Sequence, residues 1–555
     1  MKRKISLLLA FLLCVGMLMA CRSVDDPPAA TPAPAEDTTP AATPAPEDEA
    51  PADDEAPREL HIAAVRFPQH VDWDEMIVWQ MHYEYTGIRP IWRFVSPDNL
   101  QETRNLMIAT GDIPEAFHGF AWTAEEVARF GSEGIFVAIN DYLPRYGPNT
   151  AAYFANNPEV RNALVMPDGN IYGFPRAAEA YVANTPPKLR RAWVEELGLG
   201  MPATTDELLT WMIAARDTFN TNAVYSCQAS ASGDVFGGLR QVLMGAWGLG
   251  NRGVSFGLAA DFFLDANPND PTQLRFWAAD PRMQELLAFM NRIHSEGLID
   301  PDIVTQDALA WGAKLTLDPP VIGMTANIIT DIYLEGRGAV GSPDEFIGFP
   351  SALVGPHGYQ MYSSVRPLVH RVANFVITNQ CHDVALAVEF ADFWMSYENS
   401  VLLNFGPYST HWEWDPTRSF RRFHDWITND PQGRSLDQME STFSVRAGGF
   451  FFGVIPANNN FEFNLPIASE NMRPYFPPII WESFTFLEEE IRVLSTVGVD
   501  IRTYVIESLT GFVNGSLCIE EDWDTYISTL DRIGLPRLMS ALQSAYDRYL
   551  AHGGR

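Results

Sequence analysis

Along the chain, apolar runs at strand spacing alternate with apolar residues at helical spacing. Leu60 to Val65 is almost continuously apolar, as in a strand, and Trp73 to Tyr85 then repeats apolar groups at helical intervals before the helix stop Gly87. Ile88 to Val95 reads as a second strand. Ser96-Pro97 is an N-cap and first-turn pair, and the helix it opens runs through Leu100, Met107 and Ile108 to Gly111. A short apolar segment reaches Phe120, and Thr123-Ala124-Glu125-Glu126 forms a capping box for a third helix. Thr204 to Glu207 caps a helix carrying Leu208, Leu209 and Met212, and Asp280-Pro281 opens another that runs to Gly297. Phe375 to Thr378 reads as a short strand, followed by a helix from about Val384 to Met395. The last stretch, Ile501 to Tyr549, reads as helical with breaks at Gly511, Gly515 and Gly534. Such alternation predicts an α/β architecture with a parallel sheet.

The first sixty residues follow other rules. Lys2, Arg3 and Lys4 precede an apolar run, Ile5 to Met19, that is short of the roughly 20 residues a bilayer span needs, so residues 1–20 read as a signal peptide. The run ends in Leu18-Met19-Ala20-Cys21, which resembles a bacterial lipobox and makes Cys21 the lipidation candidate. Residues 22–57 are almost wholly Ala, Pro, Thr, Asp and Glu, too polar to offset the entropy of ordering; they read as a disordered acidic tether. At about 3.1 Å per residue such a segment reaches on the order of 100 Å. The expected address is the outer face of the cell membrane.

Of the formal charge of −32, the basic start carries +3 and residues 22–57 carry −9, leaving −26 on the body. A field of that sign repels phosphate backbones and anionic lipid, so nucleic acid is excluded as a partner and membrane contact falls to the lipid. Cys227, Cys381 and Cys518 lie far apart, with no metal-binding spacing near them. No metal and no cofactor is expected.

Several phrases in order resemble the extracellular solute-binding proteins of ATP-driven (ABC) importers, specifically the long lipoprotein branch linked to oligosaccharide uptake. They are Ala109-Thr110-Gly111-Asp112-Ile113-Pro114-Glu115, Glu133 to Leu143, Met166 to Pro175, Trp193 to Pro202, Ser295 to Asp300, and Asn514 through Trp523 to Tyr549. The resemblance implies a two-lobed periplasmic-binding-protein-like fold of type II, with a hinge between the lobes and a helix-rich C-terminal part. It places the first crossing near Tyr172 to Ala178 and the return near Leu368 to Phe375. Lobe 1 is then 58–177 plus 369–410, and lobe 2 is 178–368 plus 411–555. It implies a monomer that captures a small solute, a sugar, and hands it to ABC permease subunits without catalysis. A peptide receptor of the same class and a surface polysaccharide-processing enzyme remain open. Many relatives carry a calcium-type loop after the helix that begins near Thr205; here Arg216 to Asn222 is shorter than the about 12 residues such a loop needs, so no calcium site is expected.

Two motifs suggest other chemistry. Gly248-Leu249-Gly250-Asn251-Arg252-Gly253 fits a dinucleotide pattern and Gly253 to Gly257 a nucleophile elbow, but neither has the strand-turn-helix context that the chemistry requires, and a glycine-rich surface loop is expected. For sugar binding, an aromatic face packs on the C–H face of a pyranose while polar groups hold its hydroxyls. Phe120, Trp122, Tyr172, Trp247, Trp311, Trp412 and Trp414 are the aromatic candidates, and Arg66, Arg176 and Asn327 the polar ones.

Overall fold

The computed structural model describes residues 58–227, 234–254, 258–326, 345–415, 420–434, 436–445, 453–455, 464–551 and 554. Cys21, the signal segment, the tether and Asn327 lie outside them.

The strands, in chain order, are β1 (Glu59–Val65), β2 (Arg89–Val95), β3 (Ala116–His118), β4 (Phe174–Ala178), β5 (Lys188–Arg190), β6 (Leu264–Asn267), β7 (Asp270–Phe276), β8 (Met324–Thr325), β9 (Phe346–Gly348), β10 (Val369–Ile377), β11 (Trp412–Asp415), β12 (Phe420–Phe423) and β13 (Gly453–Ile455). Six of them form one sheet in the order β13-β4-β10-β3-β1-β2; β8-β5-β9 form a second, and β6-β7 and β11-β12 are two-stranded ribbons. β1 pairs in parallel with β2 and β3, whereas β10 runs antiparallel to both β3 and β4.

Local chemistry fixes the elements. Thr123 and Thr204 each accept from the backbone N–H three residues on, and Glu126 and Glu207 reach back to the cap, so both capping boxes form. Asp280 caps the helix Pro281–Ser295 by accepting from Arg282 N–H. Gly87, at φ +67, ends the helix Ile77–Thr86 in the left-handed region. That helix begins later than its apolar spacing suggests: Asp72 first caps a single 3₁₀ turn, Trp73–Glu75, and Met76 is extended. β10 is longer than the Phe375–Thr378 reading, because the residues before Phe375 include His370, Arg371 and Asn374 and so lack an apolar run. Gly511 does not break the helix Val499–Asn514; a Cβ there would lie 2.9 Å from the Leu517 side chain, so the glycine lets the chain fold back closely after Gly515.

Two large apolar cores divide the molecule. The first holds side chains from Leu60 to Ala178 and from Leu368 to Leu403, with Val445. The second holds Ala183 to Val365 and Met472 to Tyr549. The chain therefore changes core between Ala178 and Ala183 and between Val365 and Leu368. The segment after 410 differs from the expected division: Trp412, Phe423, Ile427, Met439 and Phe443 form a satellite cluster with Val401 and Phe405, Ile77 packs on it, and β13 joins the first sheet. Ser444 Oγ donates to the Leu403 carbonyl at 2.5 Å and Val71 N–H to the Ser441 carbonyl at 3.3 Å, tying this segment to the first core.

The glycine-rich loop is buried rather than on the surface. Leu243 to Trp247 ends one helix in a 3₁₀ turn, Gly248, Gly250 and Gly253 take positive φ, and Gly250 and Asn251 donate backbone N–H to the buried carboxylate of Asp265 at 2.7 and 3.4 Å. Asp265 pairs in turn with Arg275. An internal carboxylate thus occupies the position where a phosphate would need to sit.

Candidate functional site

The register of the first sheet brings its C-terminal edge to the crossing. β1 and β3 end at Val65 and His118. Because β10 runs against them, with Phe375 opposite His118, its first residues project past that edge. β4 ends on the same side, with Ala177 opposite Val369. In open sheets this is where loops diverge and ligands collect.

Beyond the edge, two antiparallel segments carry the chain between the cores. Ala178 N–H donates to the Leu368 carbonyl at 2.7 Å, Arg366 N–H to Val182 at 2.9 Å and Asn184 N–H to Ser364 at 2.7 Å. Glu482, from the second core and only 3% exposed, accepts from the N–H groups of Leu368 at 2.9 Å and Val369 at 2.8 Å and from the Tyr181 hydroxyl at 3.3 Å. Burial pushes its carboxyl up to about 7, against the pull of those donors, and Glu159 adds to the rise. The same environment raises the Tyr181 phenol.

One aromatic surface borders this crossing. Arg421, on β12, is buried; its guanidinium lies 4.8 Å from the Trp414 ring, 5.3 Å from Trp412, 5.0 Å from Phe405 and 5.7 Å from Tyr397, and donates to the Tyr397 hydroxyl at 2.5 Å. Burial lowers its pKa while the nearby Tyr397 and Glu179, one residue past β4, favour its charge. Trp414 is 43% exposed and Tyr397 41%, so their rings meet solvent while a cation holds them from behind. Trp412 supports Trp414 edge-on at 5.8 Å and donates its indole N–H to the Gly406 carbonyl at 3.0 Å.

The remaining candidates fall elsewhere. Arg66, just past β1, lies 4.1 Å over the Phe94 ring, and Arg176 lies on β4 opposite Arg371; both are on the crossing edge. Phe120 and Trp122 are buried among Phe117, Phe130 and Phe136, with Arg104 4.9 Å from the Trp122 ring, so their faces are occupied by packing. Tyr172 is buried against Gly131 and donates to Asp168 at 2.5 Å. Trp247 packs on Phe289 in the second core, and Trp311 is enclosed with Leu315, Ile322 and Phe346. Sequence reasoning did not find Tyr397, Arg421, Arg366, Arg371 or Glu482. Each acts through a partner remote in the chain, and the local sequence Phe420-Arg421-Arg422-Phe423 does not alternate, so no local signal marks them.

Among the described residues no group of three or more His, Cys, Asp or Glu side chains is placed to hold a metal ion, and no helix is long and apolar enough to cross a membrane.

No family model matches the chain. The fructooligosaccharide ABC transporter substrate-binding protein FusA of Streptococcus pneumoniae serotype 4 is 22% identical over 502 residues, 87% of this chain and 88% of that protein. A human-milk-oligosaccharide (HMO) binding, ABC-transporter-associated solute-binding protein of Bifidobacterium longum infantis superposes with a TM-score of 0.69 at 18% identity, over 89% of this chain and 99% of that one. The alginate-binding protein AlgQ2 gives 0.65 at 24% identity, over 89% and 98%. The chain is a homologue of ABC-transporter substrate-binding proteins and shares their two-lobed, periplasmic-binding-protein-like fold.

Proposed function

We propose that this protein is the substrate-binding component of an ABC importer, capturing an oligosaccharide between its lobes and presenting it to a membrane permease. The observation that carries the reading is the pair of crossing segments, 178–184 and 364–369, joining two separate cores in a chain whose full-length relatives are named for oligosaccharide transport. The two segments are the places where the chain passes from one core to the other, so the lobes close on a ligand by rotation about them.

In this reading lobe 1 is 58–178, 368–445 and 453–455, and lobe 2 is 183–365 and 472–551. Trp414 and Tyr397 stack on sugar rings, Arg66 and Arg176 donate to hydroxyls at the sheet edge, and Trp412 and Arg421 hold the aromatic surface in place. Binding proteins of this kind gain affinity from a few aromatic anchors with polar groups around them, which the surface beside the crossing supplies. No bond is made or broken. The leader is removed before Cys21, which carries the lipid, and residues 22–57 tether the body near its permease, consistent with a relative named lipoprotein LipO in Bacillus subtilis (strain 168), 22% identical over 304 residues.

A thermal-shift screen of glycans and peptides tests the reading, since a ligand that binds only the folded state raises the midpoint with concentration. The expected result is stabilisation by oligosaccharides, which are recovered intact. Stabilisation by peptides alone, or turnover of a stabilising glycan, overturns it.

A further inference from the structure

The ribbon β11-β12 has two faces, and the surface at Trp414 uses one of them. Trp412 pairs with Phe423 and Trp414 with Arg421, on the side of Phe405 and Tyr397, whereas the rung between them, Glu413 with Arg422, turns the other way. Glu413 and Arg422 form an ion pair on that outer face at 2.7 Å. Beside it lies an open depression of about 380 Å³ lined by Ser409, Thr410, Arg422, His424, Asp425 and Trp426. Trp426 is 45% exposed, yet its ring is fixed: the indole N–H donates to the Thr410 carbonyl at 3.1 Å, and His411 meets the ring edge-on at 5.2 Å. The turn that supplies this carbonyl is itself held, because His424 donates its backbone N–H to the His411 carbonyl at 3.0 Å and its Nε2 to the Ser409 carbonyl at 3.1 Å. Ser409 occupies the left-handed region at φ +66 without being a glycine, so the turn keeps its shape against a conformational cost. The depression is therefore preformed.

An exposed indole whose N–H is committed to its own backbone offers a ligand its face. A protein partner would bury such a ring among apolar groups that shed water, but the neighbours of Trp426 here are hydroxyl, imidazole, guanidinium and carboxylate groups. One aromatic face with donors and acceptors around it matches a sugar ring, and Glu413 and Asp425 together outweigh Arg422, which favours an uncharged one. We infer that this depression is a second carbohydrate site, separate from the Trp414 and Tyr397 surface, in which a neutral sugar ring stacks on Trp426 while Asp425 and Arg422 bond its hydroxyls. The inference goes beyond the capture reading above, which uses the other face of the ribbon. A single ring binds there with a dissociation constant on the order of millimolar. Because one ribbon carries both surfaces, a long chain held on Trp426 keeps its remaining residues near Trp414 at high effective concentration.

The test is an NMR titration of the mature body that follows the tryptophan indole N–H signals, with uncharged di- to hexasaccharides and, separately, with peptides of similar mass. Trp426→Phe identifies the Trp426 signal by its disappearance, and Trp414→Ala does the same for Trp414. The expected result is that millimolar oligosaccharide shifts the Trp426 signal, and that in Trp414→Ala its half-saturation stays within about 2-fold of the wild type, as independent sites require. Asp425→Ala should raise that half-saturation roughly 3- to 10-fold by removing one hydrogen-bonding partner, and should leave the Trp414 titration unchanged. Asp425 is exposed, so this variant should keep the wild-type thermal midpoint. A Trp426 signal that stays still while oligosaccharides move Trp414 overturns the inference and leaves the capture reading standing. So does one that moves only while Trp414 is intact, since lobe closure then carries the change. Movement with peptides alone overturns it in favour of a protein-docking surface, and an Asp425→Ala variant that titrates as the wild type overturns the assigned site. Movement of Trp426 with oligosaccharides that never move Trp414 overturns capture at Trp414 and leaves the second site standing. No movement of either signal overturns both.

Discussion

Replacing Glu482 with Gln tests the chemistry of the crossing through its pH dependence. The carboxyl is buried and its pKa rises from 4.5 to about 7 on folding. A group whose pKa is raised in the folded state contributes stability that is fully present below about 4.5 and is lost as pH rises through about 7. Between pH 5 and pH 8 this group removes about 2 to 3 kcal/mol from the wild type, since each tenfold change in a proton's dissociation constant is worth roughly 1.4 kcal/mol. Glu482→Gln abolishes that titration. It also leaves one of the Leu368 and Val369 N–H groups facing an amide donor, a penalty of about 1 to 3 kcal/mol that does not vary with pH. The variant should therefore be less stable than the wild type at pH 5 and close to it at pH 8. Denaturant unfolding of both proteins at both pH values measures the double difference, in which the constant penalty cancels. An equal gap at pH 5 and pH 8 refutes the account of a carboxylate ionising under burial at the crossing.

Three further outcomes follow from the same structure. Trp414→Ala removes an exposed ring from the aromatic surface, so calorimetry should show affinity for the bound oligosaccharide falling about 3- to 10-fold with little change in the unfolding midpoint. Trp247→Ala empties a site that is 2% exposed in the second core and should cost about 3 to 5 kcal/mol in denaturant unfolding. Cys21→Ser should release the protein into the medium, read by fractionating cells and supernatant; retention at the membrane refutes lipidation there.

The parts of the fold legible in the sequence are those set by local chemistry. The boxes at Thr123 and Thr204 and the stop at Gly87 need only neighbours within a few residues. The start of β10 was not legible because the strand carries its polar residues, His370 and Arg371, where it leaves the sheet edge. Site residues divide in the same way. A tryptophan in sequence looks the same whether it is Trp414, with its face open, or Trp311, enclosed on all sides; burial distinguishes them, and burial is a property of the whole fold. Arg421 acquires meaning only beneath Trp414 and Tyr397. The segment 411–445 was assigned away from the first core, and nothing local in it shows otherwise; it is the burial of the Trp412, Phe423 and Phe443 rings beside Phe405 that ties it there.

The most direct measurement of the central claim is small-angle X-ray scattering of the mature body with and without a saturating oligosaccharide identified by the thermal screen. Closure of two lobes about the 178–184 and 364–369 crossing predicts a smaller radius of gyration in the bound state, with the particle remaining monomeric. Saturated protein with an unchanged radius of gyration contradicts capture by closure between the lobes.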